Sequence, residues 1–135
     1  MQGRQYPWIF HCLVYPTGGT RSHMCWIPIA NDPDWGFKEA PFYSDDLNMS
    51  QWFPLGAHTT CVSVFPGTNV RLSRHYHIFT TADPSVTTHN KALSKLHNQT
   101  WMGNIVVVAL DKRTQSKVVQ FPTRDIGLVD ILISV

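Results

Sequence analysis

Apolar and polar positions along this chain fall into short runs divided by turn residues. Residues 8–15 (WIFHCLVY) form an apolar run broken only by His11, and they predict a strand. Pro16-Thr17-Gly18-Gly19-Thr20 is turn chemistry, and residues 24–29 predict the return strand. Pro28 lacks a backbone donor, so it assigns that strand to a sheet edge or a frayed end. Residues 59–65 alternate cleanly; after the turn 66–69, residues 70–80 predict an antiparallel partner. Ile105-Val106-Val107-Val108 begins a continuous β-branched run that suits a central strand buried on both faces. A polar loop at 111–115 leads to a returning strand at 117–121.

Helical periodicity is confined to the second half. Asp83 caps a helix over about 84–97, with Pro84 in its first position and Val86, Leu93 and Leu96 toward the core. The closing segment 126–133 reads as a second helix capped at 123–125, although its β-branched content leaves a strand open. Between Ala30 and Pro54 the pattern breaks, with a short helix expected over 45–53. These elements predict one compact α+β domain over residues 1–135. It is mainly an antiparallel sheet built from hairpins, with one clear helix and a second at the C-terminus.

Composition narrows the class. Hydrophobic residues make up 43% of the 135 and charged residues 15%, which argues against disorder. The formal net charge is +2, with Lys and Arg scattered, so a dedicated nucleic-acid surface is disfavoured. Weak nucleic-acid binding would rest only on a pI near 8.5 and on aromatics able to stack on bases. Cys12, Cys25 and Cys61 are odd in number and form no CxxC pair. Cys12 and Cys25 flank the first predicted hairpin, where a bridge would need an oxidising compartment. The apolar run at 8–15 is too short for a signal peptide and has no small-residue cleavage site, and no segment has transmembrane length. These features predict a cytoplasmic or nuclear chain with no membrane partner.

Candidate chemistry is sparse. His75 and His77 stand two apart on a predicted strand and so share a face. With His58 and Cys61 from the neighbouring strand they form a set that Zn²⁺ would accept. His58, His75 and His77 of that set would serve a small metal-dependent hydrolase or nuclease, with an Asp from the loop taking the proton of a metal-bound water. Apart from Zn²⁺, no cofactor is expected. Cys61 beside His58 or His75 is the best thiol–imidazole pair. Asp32, Asp34, Asp45 and Asp46 sit where Asp serves turns and caps. Gly18-Gly19 lacks the context of a phosphate loop.

The alternative is a non-enzymatic binding or regulatory module. The segment 35–53 carries Trp35, Phe37, Phe42, Tyr43, Trp52 and Phe53. Exposed together, they would present an aromatic surface to a protein partner or to a second copy. The sheet edge near Pro28 is the other expected contact. Absence of a complete catalytic constellation makes this the leading expectation.

The C-terminal third carries Asn90-Lys91-Ala92-Leu93-Ser94-Lys95-Leu96, then Trp101-Met102-Gly103-Asn104 leading into Ile105-Val106-Val107-Val108. Asp125-Ile126-Gly127-Leu128-Val129-Asp130-Ile131 follows. In these motifs it resembles a group of short, uncharacterised intracellular proteins of mushroom-forming (agaricomycete) fungi. The resemblance implies an intracellular fungal protein. Its motif is a helix–turn–strand joint, and it carries over neither an activity nor a functional residue.

Overall fold

The computed structural model describes residues 9–17, 21–29, 42–65, 68–82, 90 and 102–134. Among these residues six strands form one antiparallel sheet: β1 (Ile9–Tyr15), β2 (His23–Pro28), β3 (Ala57–Val64), β4 (Arg71–Thr81), β5 (Ile105–Leu110) and β6 (Val118–Val119). Their order is β2-β1-β5-β4-β3, and β6 pairs with the second half of β5 beyond β1. A helix, α1 (Ile126–Ser134), closes the chain after a 3₁₀ turn at Thr123–Asp125. The chain is thus a mostly antiparallel α+β fold, and 126–133 is helix rather than strand. The expected helix over 84–97 lies outside the described residues. Among those described, no helix is long and apolar enough to cross a membrane.

The continuous apolar run of β5 has the predicted consequence. All six of its residues are buried, because both faces of the sheet are covered. On one face Val106, Val108 and Leu110 join Phe10, Cys12, Val14, Ile27 and Phe79, and the segment 42–53 lies over them. On the other, Ile105, Val107 and Ala109 join Leu13, Tyr15 and Tyr76 under Val129, Leu132 and Ile133 of α1. Pro28 ends the edge strand, as its missing donor requires.

Local departures have physical causes. In place of a helix over 45–53 there is a 3₁₀ turn at Ser44–Asp46. Leu47 then turns extended (φ −79°, ψ 138°) and bridges Ile29. That conformation lays Leu47, Met49, Trp52 and Phe53 on the sheet, a reward no isolated helix offers. The last strand shrinks to Val118–Val119 because the side chain of Gln120 takes over the pairing. Its Oε1 accepts the His11 N–H at 2.6 Å and its Nε2 donates to the Ile9 carbonyl at 3.0 Å.

Candidate functional site

The register decides what the histidines can do. Cys61 pairs with His77 across β3 and β4, and His58 pairs with Thr80. Cys61 and His58 are an odd number of residues apart, so they project from opposite faces of the sheet. His77 lies on the face covered by segment 42–53, where the Ser44 hydroxyl meets its Nδ1 at 2.7 Å. Thus the set His58, Cys61, His75 and His77 is divided, with His58 on the far side. Among the described residues no three or more His, Cys, Asp or Glu side chains gather closely enough to hold a metal ion.

What does come together is Ser44 and His77, with Cys61 the register partner of His77 across β3 and β4. The N–H of His75 points toward the β5–β6 loop, where it donates to Gln115 Oε1 at 3.0 Å. His77 and Cys61 are direct register partners, so their side chains project from the same face. Directly opposed residues in an antiparallel pair carry their Cβ atoms about 4.5–5.5 Å apart. Burial holds the His77 imidazole below its ordinary 6.5; Asp45 opposes this and His75 adds to it. A neutral ring oriented by a hydroxyl is the base half of a nucleophile–base pair. Ser44 itself is buried, whereas Cys61 is exposed on an edge strand. The partner expected for Cys61, His58 or His75, is therefore replaced by His77. No spacing in the sequence links Ser44 to His77, 33 residues on.

The aromatic segment divides by depth. Phe42 (3% exposed) and Phe53 (5%) are core residues, and Trp52 is half-buried against the same cluster. This corrects the expectation that they stand out together: the sheet face beneath needs an apolar cover, and these rings supply it. Tyr43 alone of the described set is exposed. Trp35 and Phe37 lie outside the described residues. Trp52 and Phe53 also line a cleft of about 200 Å³ with Thr17, Leu55, Gly103 and Asn104. The Trp52 indole N–H is buried and, among the described residues, has no hydrogen-bond partner.

A second surface lies at the outer corner of β1 and β2. His11 sends its N–H to Gln120, and its carbonyl accepts from Phe121 N–H at 3.1 Å, so both groups point away from β2. The His11–Trp26 rung is therefore non-hydrogen-bonded, and the two rings lie 3.4 Å apart between centroids, tilted by 33°. Trp26 is 53% exposed and Ile9 43%, on the face that α1 covers only farther in. Neither strand contains Asp, Glu, Lys or Arg. The outer edge is capped at one end, where Asn48 N–H donates to the Pro28 carbonyl at 2.8 Å.

No family model, curated protein or solved structure matches the chain.

Proposed function

We propose that this chain is a non-enzymatic binding module that meets a protein partner through the β1–β2 corner. The observation that supports it most is Trp26, exposed on an edge strand yet held in place by the His11 ring. A large aromatic already ordered before contact gives area at little entropic cost, which is why Trp anchors interfaces. Ile9 and Pro28 extend the patch, and the uncharged strands around it fit an apolar protein surface. Phe42, Trp52 and Phe53 then serve as scaffold: their rings cover the sheet that carries the corner.

Affinity capture with the wild-type chain, a Trp26→Ala variant and a Val70→Ala control tests the reading. Val70 is an exposed apolar residue outside this corner. The partner recovered with wild type is expected to vanish with Trp26→Ala and to persist with Val70→Ala. Its binding, remeasured with purified components, is expected to be nearly independent of salt, because β1 and β2 carry no Asp, Glu, Lys or Arg. Equal recovery by wild type and Trp26→Ala ends this assignment.

A further inference from the structure

We propose that Cys12 and Cys25 are a redox-modification site, forming a labile cross-strand disulfide between β1 and β2. This stands independently of the binding surface proposed above. Cys12 and Cys25 are direct register partners, so their side chains project from the same face of the sheet. They occupy the rung next to His11–Trp26. Because that rung is non-hydrogen-bonded, the cysteine rung is hydrogen-bonded, with Cα atoms about 5.5 Å apart. Disulfides prefer Cα separations of about 5.5–6 Å, so the backbone is already placed.

The side chains are less ideally placed. Opposed Cβ atoms lie about 4.5–5.5 Å apart, at the wide end for hydrogen-bonded rungs, and a disulfide needs roughly 3.5–4.5 Å. Closing that gap draws the strands together and strains the bond, and strained disulfides are the readily reduced ones. Both cysteines are free thiols in this structure. Cys25 is half-buried and Cys12 fully buried, so access selects Cys25 as the first to react. Burial pushes the Cys12 thiol up to about 12, with the neighbouring Cys25 adding to the effect, so Cys12 reacts second.

With glutathione disulfide as oxidant the exchange balances. The Cys25 thiolate attacks one glutathione sulfur; a Cys25–glutathione bond forms and one glutathione thiolate leaves with the electron pair of the broken bond. Cys12 then loses its proton to solvent and attacks the Cys25 sulfur, and the second glutathione thiolate leaves. Two protein thiols are oxidised by two electrons, one glutathione disulfide is reduced, and the released protons protonate the two leaving thiolates.

The test uses the full chain carrying Cys61→Ser, which removes the exposed third thiol. The folded protein is incubated with glutathione disulfide, and intact mass and non-reducing peptide maps are read. The expected result is loss of two hydrogen atoms and a peptide joining Cys12 to Cys25, reversed by excess reduced glutathione. In Cys12→Ser/Cys61→Ser the glutathione adduct should persist on Cys25. A persistent adduct with both cysteines present, a link formed only in denaturant, or a link that resists reduced glutathione would each overturn the proposal.

Discussion

Tyr76 on β4 donates its hydroxyl to Asp125 Oδ2 at 2.8 Å, joining the sheet to the 3₁₀ turn that opens α1. Arg74 completes the contact, with Nε 3.5 Å from the same oxygen and Nη1 donating to the Leu110 carbonyl at 2.7 Å. Tyr15 makes the parallel connection to Asp130 on the helix itself. The two tyrosines pin the helix to the apolar face of β1, β5 and β4.

Tyr76→Phe is expected to destabilise the chain by about 1.5–3 kcal/mol, the worth of a hydrogen bond to a charged group. Asp125→Ala should cost more, because it leaves the buried Tyr76 hydroxyl and the Arg74 guanidinium uncompensated. Urea denaturation midpoints check the ranking. Equal effects would show that the Arg74–Asp125 contact adds nothing to the Tyr76 bond.

Alkaline pH should unfold the chain through the same tyrosines. Burial, then the Asp130 bond, raises Tyr15 above its usual 10; burial, then the Asp125 bond, does the same for Tyr76. The folded state keeps these protons while the unfolded state releases them near pH 10. Their stabilisation is therefore complete below about pH 10 and is lost as pH rises beyond it. Two of the four tyrosines should ionise only together with loss of structure, read as tyrosinate absorbance against circular dichroism. Ionisation of all four ahead of unfolding would contradict this.

His77 carries the opposite linkage. Its folded-state pKa lies below 6.5, mainly through burial. The unfolded chain therefore binds this proton more readily, and the contribution to stability is full above about pH 6.5 and declines as pH falls below it. An NMR titration of the ring should give a midpoint under 6.5. Asp45→Asn should lower it further, because Asp45 favours the charged ring. A midpoint that rises in Asp45→Asn rules out this electrostatic account.

Gly103 adopts φ +74°, and its carbonyl accepts from the buried Asn90 side chain at 2.9 Å. Replacing it with Ala forces a Cβ into the left-handed region at a cost of roughly 1–2 kcal/mol. Thermal melting should register the loss. An unchanged melting temperature would mean that the turn relaxes without penalty.

The order of polar and apolar residues by itself determined the sheet, the hairpins, the position of β2 at an edge and the burial of β5. These are local consequences: a proline removes a donor wherever it stands, and a β-branched run seeks cover on both faces. The pattern also placed His75 and His77 two residues apart on one strand. Only the tertiary structure decided which neighbours they meet. The register of β3 against β4 sets Cys61 beside His77 and sends His58 to the other face, since a shift of one residue exchanges the faces. Ser44 reaches His77 across a loop that no periodicity describes. Phe42, Trp52 and Phe53 turned inward for the same reason: an exposed ring and a covering ring have the same composition. Only the open apolar face of the assembled sheet made covering the lower free-energy arrangement.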